Sequence, residues 1–433
     1  MSFLSTLSLK SKIGLGVILG YTSFEVYFQI RTQYLIKKRR DEYNATSSDI
    51  DKFKSASVAG MFINPFSEYR PQTAFEFILV RVFEFFESLY GSTFEIHKKI
   101  GKNKTEIEDM LKTYTPDLEL YRSNSKILQE CIESNNFKNL LSSTSHGITL
   151  NNQLLVSWLG QSCTLFQISG VNFLTDPIIS DHLMNKHIGP KRLNRSPMTF
   201  EDIQYATNSN LNFILVSHDH PDHLELELAS KINNNSIWIV PLGLKSKLSR
   251  RGIYRIIEMD WWEKLDITQY INSNLPDKFE IECLPSMHWS GRYVLDSNKS
   301  LWCSFVIKKN GESVVYHAGD TGYAQELFEL VGKRISPVFL SLLPIGQYCP
   351  SFHQKPRHIS PSESLKICEH LKSKHMKGIH WGTFKLSSEP ILEPKILLTK
   401  LANAIDMGKY YKVPDFGLTY LYDLKTEKEL ELY

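Results

Sequence analysis

The stretch LNFILVSHDHPDHLELE, residues 211–227, decides how this chain is read. An apolar run from Phe213 to Val216 ends at Ser217, and the next six residues hold three histidines and two aspartates. A short apolar run bounded by turn residues reads as a buried strand, so the polar side chains leave the sheet at its edge. His218 and His220, two apart, can point to one side in extended backbone, whereas Asp222 and His223 lie past Pro221, where the chain has turned. Four nitrogen and oxygen ligands in one turn crowd a single open catalytic ion that also needs distant ligands, and they suit two ions better. A structural role explains them poorly, because such groups gain little from an apolar core.

Working outward, short apolar runs separated by turn residues recur from about Leu154: LLVSWLG, VNFLTDP, IWIVPLG, FEIECLPSMH, LWCSFVIKKNGESVVYHAGD, VFLSLLPIG and GIHWGT. They read as strands, with KKNG as a hairpin turn, and helical patterns alternate with some of them. One helix has strong ends, with Ser360 as N-cap, Pro361 at the first helical position and Glu363 completing a capping box. The implied class is α/β (α+β), mixed sheets with outer helices. Further candidate ligands follow other strands: His288 after IECLPSM, Asp320 after SVVYHAG and His380 after MKGI. If these edges share one rim, His218, His220 and His288 take one metal, Asp222, His223 and His380 a second, and Asp320 joins both. Lone histidines are mostly surface or core residues, so these three depend on the rim. A ligand set without cysteine suits zinc, although ligand type alone leaves manganese and iron open. His317, inside a strand, is expected to be structural; His182, His187, His353, His370 and His375 carry no spacing argument.

A chain of 433 residues with 42% apolar residues accommodates one large catalytic domain and an accessory N-terminal part. Net charge of +3 gives no strong basic field, so nucleic acid is not the expected partner. Six cysteines lie far apart without a CxxC pair and read as reduced, mostly buried thiols. Before the strands, IGLGVILGYTSFEVYFQI from Ile13 to Ile30 carries one charge, Glu25, and is flanked by Lys10, Lys12, Arg31 and the KKRR run. The bulky VYFQIR lacks a small-residue cleavage site, which favours an uncleaved membrane anchor over a signal peptide. From Thr73 to Gly91, Glu76, Arg81, Glu84 and Glu87 fall on one side of a helix and Phe75, Ile78, Val82, Phe83, Phe85, Phe86 and Leu89 on the other. Such a helix lies in a membrane interface or packs on the domain. The expected division is residues 1–40 as anchor with basic flank, 41–150 as a helical or irregular extension, and 151–433 as the catalytic domain.

The ordered motifs HDHPDH, MHW, AGDTGY and IHWGTF, with WLGQS at Trp158, LTDPI at Leu174, GPKRLNRSP at Gly189, DWWE at Asp260 and LPIGQY at Leu343, carry a resemblance. The chain resembles the metallo-β-lactamase superfamily and, within it, the N-acyl-phosphatidylethanolamine-hydrolysing phospholipase D family, over nearly all of residues 154–425. The resemblance implies an αββα sandwich with two zinc ions held by His218, His220, Asp222, His223, His288, Asp320 and His380. It also implies hydrolysis of a membrane phospholipid, N-acyl-phosphatidylethanolamine, to phosphatidate and an N-acylethanolamine by activated water, without a covalent protein intermediate. Asp222 would orient the water, Asp320 would join the ions, and His358 would lie near the phosphate headgroup, beside a helix N-terminus. Asp176 would orient a ligand histidine. Gln161 stands where the family commonly has histidine, and Pro221 where it often has a bulkier residue. A homodimer is implied by the resemblance alone, and an apolar leader with basic flanks points to the mitochondrial inner membrane ahead of the endoplasmic reticulum. Competing expectations are hydrolysis of another phosphodiester, lactone or ester, and a non-catalytic lipid-binding protein.

Overall fold

In FILV, residues 213–216, every side chain is buried, and the alternation of a strand sends them to two different cores. Phe213 and Leu215 face a core shared with Phe279, Ile281, Phe305 and Ile307 of a second sheet. Ile214 and Val216 face the opposite way, onto Ile203 and Leu228 of covering helices. A strand covered on both faces is the mark of a layered α/β domain.

The computed structural model describes residues 8–43, 52–71, 73, 75–76, 78–80, 82–83, 86, 109–184, 189–293, 296–430 and 432. Among these, the first sheet has eight strands in the order Ile256–Met259, Ile237–Pro241, Phe213–Leu215, Val171–Thr175, Cys163–Ile168, Gln153–Gly160, Thr419–Asp423 and Lys428–Leu430. The second has seven, ordered Lys264–Asp266, Phe279–Leu284, Ser304–Lys309, Glu312–His317, Val338–Pro344, His375–Ile379 and Tyr411–Lys412. Asn310 and Gly311, both at positive φ, make the tight turn of the KKNG hairpin. Helices Phe200–Ala206 and Leu226–Ile232 cover the first sheet, and Gln325–Ile335 and Pro361–Leu371 the second, giving the αββα sandwich. The Ser360/Glu363 capping box is formed.

Each sheet has a parallel half. Val171–Thr175, Phe213–Leu215 and Ile237–Pro241 run together in one, and Glu312–His317, Val338–Pro344 and His375–Ile379 in the other. Parallel strands release their following loops at a common edge, which is where such sheets bind ligands. The helix Leu118–Ser134, which falls within the 41–150 extension, packs on the first sheet: Asn124 donates to Gln153 at 3.0 Å, and Gln167 donates to the Tyr121 carbonyl at 3.0 Å.

The N-terminal helix runs Leu9–Tyr43 and is long and apolar enough to cross a membrane, with Ile13, Val17, Ile18 and Leu19 exposed. In the 73–91 segment, Phe75, Ile78, Leu79, Val82, Phe83 and Phe86 are helical and between 44% and 59% exposed. Most of its described apolar face is therefore not packed on the domain, although Val80 is buried. Glu76, from the charged side, accepts from Arg70 at 2.5 and 2.7 Å and lies 3.0 Å from His353 Nδ1. Arg81, Glu84, Phe85, Glu87 and Leu89 lie outside the described residues, as does His187.

Candidate metal centre

All seven expected ligands meet at the rim. His218, His220, Asp222 and His223 occupy the loop after Phe213–Leu215, Asp320 follows Glu312–His317, and His380 immediately follows His375–Ile379. His288 lies four residues beyond Phe279–Leu284. Backbone hydrogen bonds tie these loops together: His380 N–H to the Gln161 carbonyl at 2.9 Å, Gly322 to Met287 at 2.7 Å, and Cys303 to Ser217 at 2.9 Å across the two sheets. Gly319, before Asp320, is at φ +57 and a Cβ there would lie 2.5 Å from Ser217 Cβ, so only glycine lets these loops approach.

Two ligand groups result. His218 Nε2 and His288 Nε2 lie 2.8 and 3.2 Å from His220 Nδ1. The second group is Asp222, His223, Asp320 and His380, with His223 Nε2 and His380 Nε2 each 3.1 Å from an Asp320 oxygen. Asp320 lies between the groups, its Oδ2 also 3.7 Å from His288 Nε2 and 4.0 Å from His218 Nε2. Every one of these residues is at most 8% exposed.

The outer nitrogens set the tautomers. His288 Nδ1 donates to the Arg357 carbonyl at 2.9 Å, and His223 Nδ1 donates to Asp176 Oδ2 at 2.9 Å, so in each neutral ring the Nε2 lone pair points inward. Where such a lone pair faces another lone pair or a carboxylate oxygen, the contact is repulsive unless a proton or a metal ion lies between them. His220 Nε2 is buried without a hydrogen-bond partner among the described residues. Nitrogen and oxygen donors in two convergent groups fit divalent metal ions.

The electrostatics divide the groups. Burial and neighbouring imidazoles push His218 and His220 well below the usual imidazole range, and burial takes His288 down to about 4. Burial works the same way on His380 and His223, but Asp320 and Asp222 overcome it and hold His380 up at about 9 and His223 well above its usual value. Asp320 itself is held far down by His223 and His380, against the effect of burial.

Behind the ligands, Asp176 accepts from Ser217 N at 2.7 Å, Ser217 Oγ at 2.8 Å, His223 Nδ1 at 2.9 Å and His317 Nε2 at 2.8 Å. Burial would raise its carboxyl, yet the His317 and His223 imidazoles hold it down at about 2. This is the orienting contact expected of Asp176. His317, expected to be structural, is thereby one contact from a ligand; its position inside a buried strand gave no sequence signal. Gln161 Nε2 lies 2.8 Å from Asp222 Oδ2 and 2.9 Å from His380 Nε2. Gln161, Asp176 and His380 all have left-handed backbone, at φ 49, 38 and 62, so the site is held at strained positions. His358 is 4% exposed, with Nδ1 3.6 Å from Asp320 Oδ2, and forms a further candidate ligand group with His288 and Asp320. It lies deeper among the ligands than a place beside the helix N-terminus suggests.

Sequence reasoning missed Arg292, whose side chain donates to Asp219 Oδ1 at 2.6 Å and to the backbone carbonyls of His220 and Leu224, clamping the ligand loop from behind. Asn64, in an NPF stretch to which the sequence assigned no role, donates through Nδ2 to the His288 carbonyl at 2.7 Å.

A four-layer sandwich with a buried His/Asp rim defines a protein of the metallo-β-lactamase fold, and residues 171–381 match the model of the beta-lactamase superfamily domain. The chain is 37% identical, over 94% of its own length and 87% of the relative's, to the mitochondrial N-acyl-phosphatidylethanolamine-hydrolyzing phospholipase D of Saccharomyces cerevisiae. It is 33% identical to N-acyl-phosphatidylethanolamine-hydrolyzing phospholipase D 1 of Caenorhabditis elegans, over 60% of this chain and 76% of that one. The chain belongs to the N-acyl-phosphatidylethanolamine-hydrolysing phospholipase D family. Among solved structures, a metallo hydrolase of Ignicoccus hospitalis aligns with 62% of this chain and 98% of its own at 21% identity and TM-score 0.47.

Proposed function

We propose that this protein is a zinc-dependent phospholipase D that hydrolyses N-acyl-phosphatidylethanolamine to phosphatidate and an N-acylethanolamine at a membrane. The observation that carries this reading is the complete set of five histidines and two aspartates, buried at one rim, in a chain that spans nearly all of a relative so named. His218, His220 and His288 would hold one zinc ion, Asp222, His223 and His380 a second, and Asp320 would reach both. When bound, the ions supply an acidified water and neutralise charge on the phosphate oxygens.

The chain's own residues do the rest. Asp222, steadied by the Gln161 amide, accepts a hydrogen bond from the attacking water and orients it towards phosphorus. Oxygen from water bonds to phosphorus, the P–O bond to the N-acylethanolamine breaks, and the departing oxygen takes up the proton. His358, with Nδ1 3.6 Å from Asp320 Oδ2, faces the same space and would contact the phosphate headgroup. Burial of the rim excludes bulk water and strengthens each of these contacts. No side-chain nucleophile is required, so no covalent intermediate forms.

A diacyl lipid stays in its bilayer, and the helix Leu9–Tyr43 would anchor the enzyme there while the exposed apolar face at Phe75 to Phe86 rests in the interface. The yeast relative is named mitochondrial, which supports that organelle, and the apolar leader with basic flanks favours its inner membrane. A homodimer is proposed on the family resemblance alone.

The test is hydrolysis of N-acyl-phosphatidylethanolamine in vesicles by purified protein, beside His220→Ala and a chelator-treated sample. Release of N-acylethanolamine, lost in both controls, supports the reading. No release from a fully metallated protein sinks it and leaves hydrolysis of a soluble diester, lactone or ester; a protein that retains no metal points to a lipid binder.

A further inference from the structure

A cavity of about 520 Å³ lies between the N-terminal helix and the sandwich. Tyr21, Phe24 and Phe28 of the helix, with Phe66, give it an apolar wall; Asn64 and Arg357 give it a polar one. Glu25 and Lys299 also line it, with opposite charges. The polar wall is continuous with the metal centre. Trp289, another lining residue, has its ring 4.2 Å from that of His220, Asn64 holds the His288 carbonyl, and the Arg357 carbonyl holds His288 Nδ1.

Arg357 is the unexplained group here. It is 2% exposed, its Nη1 donates to the His353 carbonyl, and its Nη2 has no hydrogen-bond partner among the described residues. Glu76 attracts Arg357 through space, but its hydrogen bonds go to Arg70 and His353 and leave the Arg357 Nη2 donor open. A buried guanidinium with an open N–H is costly unless an anion completes it. The planar fork suits phosphate oxygens, and a volume of this size accommodates an alkyl chain beside them.

We propose that Arg357 is the anion-binding residue of an amphiphile site, with the N-terminal helix as its apolar wall, that takes the phosphate and adjoining chain of a phospholipid. As a subsite for substrate or product the inference rests on the phospholipase reading; as a binding site for an alkyl phosphate it stands on the cavity alone. The helix would then be part of the lipid site as well as a tether.

The probes are dodecyl phosphate, inorganic phosphate and the uncharged octyl glucoside, titrated calorimetrically into the full-length holoenzyme and into chelator-treated protein, which removes metal as a rival for phosphate. Wild type should bind dodecyl phosphate at least tenfold more tightly than inorganic phosphate in both samples. Arg357→Gln should weaken dodecyl phosphate roughly tenfold or more, as expected for a charge-assisted bond, with Arg357→Lys recovering part of the loss. Octyl glucoside binding should not change in either variant. Phe24→Glu, at a helix position 42% exposed and remote from the sheets, is a second variant that should weaken dodecyl phosphate severalfold, whatever the folding of Arg357→Gln. Wild-type affinity in folded Arg357→Gln, unchanged affinity in Phe24→Glu, or equal affinity for dodecyl and inorganic phosphate overturns the proposal. Binding as expected without hydrolysis of N-acyl-phosphatidylethanolamine overturns the phospholipase reading and leaves this site in place.

Discussion

The two halves of the metal centre solve the burial of charge in opposite ways. Around His218, His220 and His288, imidazoles meet without a carboxylate of their own, and burial keeps them neutral, with lone pairs free at neutral pH. Around His223 and His380, two carboxylates hold the imidazoles protonated, so protons occupy the place a cation would take. The first half is ready for a metal, and the second must release protons to accept one.

Asp320, which lies between the halves, gives the most severe way to break that comparison. Asp320→Ala should lower kcat/KM by about 10,000-fold and reduce metal content in both halves, as read by elemental analysis. Loss from one half alone would assign Asp320 to that half. Next, His220→Ala and His380→Ala should each remove about one ion per chain and about 1,000-fold in rate. Equal residual metal with different losses of rate would sharpen the division of roles. Asp176→Asn, which keeps the shape but loses an acceptor for His223 or His317, should cost 10- to 100-fold in metal affinity, about the usual effect of disturbing a ligand's orienting partner. Competition against a fluorescent chelator measures it.

The pH dependence separates the halves directly. Because His380 is held up at about 9, protons compete with metal below that pH, and affinity at the second half should rise about tenfold per pH unit for each proton released, from pH 6 to 9. With His288 down at about 4, the first half should keep its metal over the same interval. Parallel pH curves for both ions, measured with a buffered chelator, would dissolve the distinction. The smallest effect is expected for Gln161→His, a less than tenfold change in rate accompanied by an added inflection in the pH–rate profile.

Much of this architecture was legible because two periodicities coincide. FILV followed by HDHPDH marks a strand and its exit, and His288, Asp320 and His380 repeat that arrangement at other strand ends. What escaped had no such pattern. His317 occupies an ordinary buried strand position, and only the fold shows that its Nε2 reaches Asp176. Arg292, Asn64 and Arg357 come from loops whose spacing carries no information about the rim. The helix Leu118–Ser134 falls in the stretch expected to be helical or irregular, but its docking on the first sheet through Asn124 and Ser125 carried no sequence signal. The turn at Pro221 separates His218 and His220 from Asp222 and His223 in the sequence, but the opposite charge states of the two groups depend on distances of 3 to 4 Å across four loops.

The left-handed backbone at Gln161, Asp176 and His380 has a consequence for anyone evolving this protein in the laboratory. A library sorted on heat tolerance alone would be drawn towards glycine at His380, which relieves the conformation and discards the side chain with it, but not at Asp176, where glycine would strand four buried donors. Such a campaign would enrich robust, inert proteins, so selection for turnover has to accompany every round.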